Sequence, residues 1–375
     1  MAGTCLLWAL RAQRTPIITA VDPNFRTEGN VTLFCARSSS LLRSSRLRRR
    51  AGLATLTLAT TVGVVTAAMS PAVSAASPVS IGGFEVPESV VHDVQSDTYL
   101  VSNVGAGGDI AAGELAADDN GFISRVRPDG QVLDRRWIDG RSPSVRLDSP
   151  HGIDVLGNRI FVADLTVVRQ FDRSTGRQLA SVPLPGSVFL NDLTVGPDQA
   201  IYVTDSGYDA EVGNDVFQTN PRTDAVWRIP TTNGVPSTGT KIARGGGLGN
   251  PNGIVAGTRP GPYGDRVVVR VASYDISLPA GASGVVFTPG PHGERYDQVA
   301  FPTGLLDGLV QTGGFTIVSS GVGPGYVYAA KAGHPVRTLF TGSIVADLAV
   351  DTERGRLLEP LFYDNQLRIQ PLAIG

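Results

Sequence analysis

Glu88, Asn191, Asn252 and Asp307 hold the same slot in four short stretches of the chain, VPESVV, FLNDLT, NPNGIV and LLDGLV. Two further stretches, SPHGID and VADLAV, place His151 and Ala346 in that slot. Two carboxylates and two amide carbonyls make an all-oxygen donor set of formal charge −2. Such a set suits a hard divalent cation. Calcium takes about six to eight oxygen ligands and lets waters complete the shell. Magnesium asks for a smaller octahedral site, manganese stays open, and zinc would find nitrogen only at His151.

The elements that must position these side chains recur in a fixed order. After each slot comes a short run rich in Val, Ile, Phe and Tyr, then a turn, then two or three more runs broken by Gly, Pro, Asp and Asn. This is the pattern of antiparallel strands joined by tight turns. In the second unit the runs are SPHGIDVL, RIFVADL, TVVRQFD and RQLASVPL. Slot spacings of 63, 40, 61, 55 and 39 residues place the variation in loops. Four strands per unit, six times over, predict an all-β, six-bladed β-propeller. The sixth unit lacks a fourth strand, while PVSIGGFEV (78–86) precedes the first slot with no blade of its own. That segment is expected to complete blade six and close the ring, which removes an open sheet edge. The slot opens the innermost strand of each blade, so the six slot residues are expected around one mouth of the central channel.

The N-terminal part reads differently. RSSRLRRR (43–50), the uncharged AGLATLTLATTVGVVTAAM (51–69) and AVSAASP (72–78) follow the order of a secretory signal. The expected division is a leader extension over 1–42, a signal peptide over 43–76 and the propeller over 77–375, giving a secreted protein. Membrane attachment is expected only through an uncleaved signal, and Arg48–Arg50 offers a weak twin-arginine pattern. Without residues 1–75 the chain carries 23 basic and 32 acidic residues. So acidic a protein is a poor partner for nucleic acid, whose binding rests on cationic contacts to phosphate. Cys5 and Cys35 both fall in the leader, so disulfides and thiolate chemistry are not expected in the mature chain. Two lysines, Lys241 and Lys331, against abundant arginine, Ala, Gly and Val point to a bacterial source of high GC content.

LNDLTVGPDQAIYVTDSG, NPNGI and LLDGLVQTGGF resemble motifs of the senescence-marker/gluconolactonase/luciferin-regenerating family, the regucalcin-like propellers. The resemblance runs over about 78–375. It implies one metal, held by Glu88 of the PE motif, Asn191 of ND with Asp192 beside it, Asn252 of PNG and Asp307 of DG. It implies metal-dependent hydrolysis of a small-molecule lactone or related ester by a monomer, most simply with calcium. In that reading Asp307 is both ligand and general base, and His151 hydrogen-bonds the leaving alkoxide or the substrate. The chain departs from the family at PHG and in its last unit, which look like generic propeller repeats of the NHL type. The arginines and tyrosines that family lactonases place around a sugar have no clear counterpart. An alternative is a non-catalytic propeller that uses calcium to rigidify a binding or scaffold surface. A strictosidine-synthase-like reading ranks last, because the mature chain lacks cysteine.

Other polar residues have plainer expected roles. Asp164 and Asp205 end second strands and should brace loops. Asp192 and Asp347 follow the slot and should brace backbone. His92, His292 and His334 fall away from the ring, and the acidic loop 207–220 reads as solvated.

Overall fold

Five of the six slot residues open a four-stranded antiparallel sheet in the computed structural model, and the sixth, Ala346, lies three residues before the inner strand of its blade. The structure describes residues 77–105, 116–208, 223–279, 281–321 and 323–374. The expected leader and signal, and most of loop 207–220, lie outside the described residues. Blade one comprises Pro87–Asp93, Thr98–Asn103, Phe122–Val126 and Val132–Asp139. The innermost strands of blades two to five are Pro150–Leu156, Leu190–Val195, Pro251–Arg259 and Leu306–Thr312. Blade three carries an added hairpin between its third and fourth strands, Thr231–Thr232 with Val235–Pro236. The sole helical element among the described residues is one 3-10 turn, Gly246–Leu248.

Blade six holds Ala349–Asp351, Arg356–Leu361 and Gln366–Pro371, and its outer strand is Val79–Gly82 from the other end of the chain. Val79 pairs with Ile369 and Gly82 with Gln366 in an antiparallel register. The ring closes as the unpaired N-terminal strand predicted. Phe84 then drops into the gap between blades six and one, against Leu358, Leu367, Val90 and Tyr99.

An apolar cluster of the same kind fills each gap between neighbouring blades. Between blades two and three, Phe161 and Val168 meet Leu193, Val203 and Trp227. Both faces of a blade are therefore covered, which explains why second strands such as Thr98–Asn103 and Phe315–Ser320 are buried from end to end. Each fully buried Leu, Val or Phe contributes about 1.5–3 kcal/mol by leaving water. At the axis the inner strands come closer than side chains permit. A Cβ on Gly152 would stand 2.4 Å from the Leu193 nitrogen, and one on Gly253 would stand 2.3 Å from the Asp307 carbonyl oxygen. Only glycine fits at those two contacts.

Candidate functional site

In five blades the pairing of first and second strands slips by one residue at the slot. Pro87 pairs with Asn103 and Val90 with Val101, so Glu88 and Ser89 together face Ser102 alone. The same shift falls at His151, Asn191, Asn252 and Asp307. An extra residue on one strand bends it and re-aims its side chains. The bulge is what turns each slot side chain toward the axis.

The backbone before the slot is strained in three of these blades. Val86, Asn250 and Leu305 each lie two residues before a candidate donor and adopt left-handed φ values of 55°, 49° and 53°. For Val and Leu this conformation is a true outlier, and it persists only where surrounding contacts impose it. The Asn365 side chain accepts the Val86 N–H at 2.7 Å and the Asp224 carboxylate accepts the Asn250 N–H at 2.9 Å, and other carboxylates brace the rest of the mouth. The Asp164 carboxylate accepts the Ser149 N–H at 2.7 Å and the Asp148 N–H at 3.0 Å. Asp205 accepts the Phe189 and Val188 N–H groups at 3.0 and 3.2 Å. These are the bracing roles expected of both residues.

Glu88, His151, Asn191, Asn252 and Asp307 line a single cavity of about 70 Å³. Ala346 does not line it. Blade six contributes Ile344, Phe362 and Tyr363 instead, and the remaining lining includes Phe189, Tyr208 and Tyr274. Asn191 Oδ1, Asn252 Oδ1 and Asp307 Oδ1 are buried and accept no hydrogen bond. The Asn252 side chain acts on the Asp307 carboxyl, holding its pKa down against burial. Stranded buried acceptors cost about 1–3 kcal/mol each unless something fills the gap. Three convergent oxygens without donors, beside the Glu88 carboxylate, fit a hard cation.

The charges around them fit as well. Burial, and then the neighbouring Asp347 carboxyl, push the Asp307 carboxyl up to about 8. Burial raises Asp347 to about 7, and burial followed by Asp347 raises Asp192. Asp192 and Asp347 are spoken for by backbone, as expected. Asp192 accepts the Leu193 and Ile254 N–H groups, and Asp347 accepts the Leu348 N–H and the Ser89 hydroxyl. Asp307 remains the carboxylate with an unused oxygen.

His151 is buried, and burial lowers its imidazole to about 4. Its Nδ1 lies 2.9 Å from the Ser149 carbonyl oxygen. A carbonyl accepts, so Nδ1 carries the proton and the neutral ring keeps its lone pair on Nε2. His92 is remote from this cavity, as expected. With Asp97 and Glu353 it forms a separate group, but Arg354 pairs with both carboxylates there and supplies the positive charge.

Three hydroxyls were not anticipated. Ser102, Thr204 and Ser319 face the bulges of blades one, three and five and accept the N–H groups of Ser89, Asp192 and Gly308 at 2.8, 3.0 and 2.7 Å. The Thr204 hydroxyl donates in turn to the Asn252 carbonyl oxygen at 2.7 Å, and that of Ser319 to the Ala346 carbonyl oxygen. The signal lies in the sequence as an alternation at one strand position: Ser102, Ala163, Thr204, Ala272, Ser319, Pro360.

No protein-family model matches the chain, and no curated protein matches it. Solved structures do. The chain is similar to a gluconolactonase from Xanthomonas campestris at 18% identity, over 79% of this chain and 98% of that one, with a TM-score of 0.48. It is similar to a luciferin-regenerating enzyme at 13% identity, over 79% and 96%, with a TM-score of 0.49. A candidate glucose dehydrogenase from Thermus thermophilus matches at 14% identity, over 78% and 99%, with a TM-score of 0.49. Two of these names belong to the family that the sequence motifs resemble. At such identities no activity passes from them to this chain.

Proposed function

We propose that this chain is a secreted, metal-dependent hydrolase of lactones or related esters. The observation that carries the reading is the convergence of Asn191, Asn252 and Asp307 oxygens, without donors, beside Glu88 in one cavity. A divalent cation held by Glu88, Asn191, Asn252 and Asp307, most simply calcium, would polarise a bound carbonyl and offset the charge that develops on its oxygen.

The remaining chemistry falls to side chains. Asp307 takes a proton from water as the water oxygen bonds to the carbonyl carbon. The acyl–oxygen bond then breaks, and the departing alkoxide recovers that proton. His151, neutral with Nε2 free to accept, orients the water or a substrate hydroxyl, while its Nδ1–H stays committed to Ser149. Phe189 holds the imidazole edge-to-face at 4.8 Å.

The test is metal analysis of the purified protein together with turnover of lactones and aryl esters, with and without chelator. Chelator-sensitive hydrolysis restored by calcium supports the proposal. Bound calcium with no turnover of any ester would point to the non-catalytic, calcium-stabilised propeller instead.

A further inference from the structure

Two aromatic walls flank the oxygen donors. One is a continuous edge-to-face chain across blades two, three and four: His151 to Phe189 at 4.8 Å, Phe189 to Tyr208 at 5.5 Å, and Tyr208 to Tyr274 at 6.4 Å. The other comes from blade six, where Phe362 and Tyr363 meet at 5.1 Å beside Ile344. In a six-membered ring, blade six stands across the axis from blade three. Among the described residues no Arg or Lys lines the cavity. The Tyr274 hydroxyl already donates to the Gly321 carbonyl oxygen at 3.2 Å. The Tyr274 ring also covers Gly321 so closely that a Cβ there would stand 2.3 Å away. That wall is fixed in place by its own contacts.

Resting on the hydrolase reading above, we infer that the site selects a neutral ester or lactone bearing an aromatic ring next to the scissile carbonyl, in preference to a polyhydroxylated sugar lactone. A sugar brings several hydroxyls, each of which leaves a hydrogen bond to water unreplaced when it meets a ring face or an aliphatic side chain. An aromatic ring packs edge-to-face or offset against such a wall, as these rings already do among themselves. Size points the same way. The cavity of about 70 Å³ holds a few water-sized groups. A ring therefore rests at the mouth, where Tyr363 is 57% exposed, with its carbonyl directed inward.

The experiment compares kcat/KM of the calcium-loaded full chain for dihydrocoumarin and for glucono-1,5-lactone. The aryl lactone is expected to lead by at least tenfold. In Phe362→Ala and in Tyr363→Ala, the second chosen because it is surface-exposed, the ratio of the two kcat/KM values should fall roughly three- to tenfold. A sugar lactone turned over as well as or better than the aryl lactone, or a ratio that neither variant moves, overturns the inference. Absence of turnover on both substrates refutes the hydrolase reading alone. Calorimetric titration with 3-(2-hydroxyphenyl)propanoate and with gluconate then decides: tighter aryl binding upholds the selection, and equal or tighter gluconate binding overturns it.

Discussion

The Asp192 carboxylate accepts the Ile254 N–H at 2.8 Å, reaching from blade three to a point two residues beyond Asn252 in blade four. The residue after one donor thus fixes the strand that carries the next. Asp192→Ala strands the Ile254 and Leu193 N–H groups in a buried place. It should lower stability by about 2 kcal/mol or more and weaken calcium binding without touching a ligand. Asp192→Asn keeps an acceptor and removes the repulsion with Asp347, so it should stay within about 1 kcal/mol of wild type. Urea unfolding midpoints of the two variants separate these outcomes.

Asp307→Asn should keep the fold and lose turnover, since an amide neither takes up a proton nor brings negative charge to the donor set. Calcium should raise the melting temperature of wild type and barely move that of the variant. At a hundredfold excess over Kd the ligand adds about 2.7 kcal/mol to the folded state. Equal calcium-induced shifts in both proteins would remove Asp307 from the metal set.

Closure of the ring gives a separate prediction. Phe84→Ala should cost about 3–5 kcal/mol, the range for emptying a buried aromatic site. Deleting Val79–Gly82 bares the Gln366–Pro371 edge, so it should add concentration-dependent association to the loss of stability. Light scattering of the deletion variant, read against Phe84→Ala, distinguishes an exposed edge from a simple loss of packing.

His151 makes stability depend on pH. Its folded-state pKa of about 4 lies below the ordinary value of 6.5, because burial disfavours the charged ring. The unfolded chain therefore binds the proton more readily, and stability falls as pH drops from 6.5 toward 4. The slope contributed by this one group approaches about 1.4 kcal/mol per pH unit within that window. His151→Gln should remove this component, so unfolding free energies of the two proteins, compared from pH 7 to pH 4, should converge as the pH falls. Parallel curves would mean that the ring titrates normally.

Much of this was legible in the chain because a propeller repeats its frame. The Pro-Glu, Asn-Asp, Pro-Asn-Gly and Asp-Gly motifs mark the bulge in the four blades that carry the oxygen donors, and the surplus strand at 78–86 announces the closure. What the sequence hid comes from a second frame. Tyr274 and Phe362 directly follow the second strands of blades four and six, and Tyr208 lies three residues past that of blade three. Tyr274 and Phe362 share one position, but the other blades place Val104, Leu165, Ser206 and Gly321 there, so no aromatic repeat marks the wall. The hydroxyls of Ser102, Thr204 and Ser319 escaped for another reason. In a strand that is buried on both faces, small polar residues read as tolerated substitutions until their hydrogen bonds are seen.

The joint between the two ends also sets an order of events. Val86 gives its N–H to Asn365, 279 positions away in the chain, at 2.7 Å. Contacts so distant in sequence form late, and they slow folding. During synthesis the first blade emerges with the blade-six side of Phe84 uncovered, and that side stays so until nearly the whole chain has followed. The blade-six share of its cover, Leu358, Leu367 and Ile369, arrives only near the end of the chain. The protein thus passes through a long open-ring interval in which its earliest-made apolar surface waits for its last-made strand, and whatever assists its folding must act there.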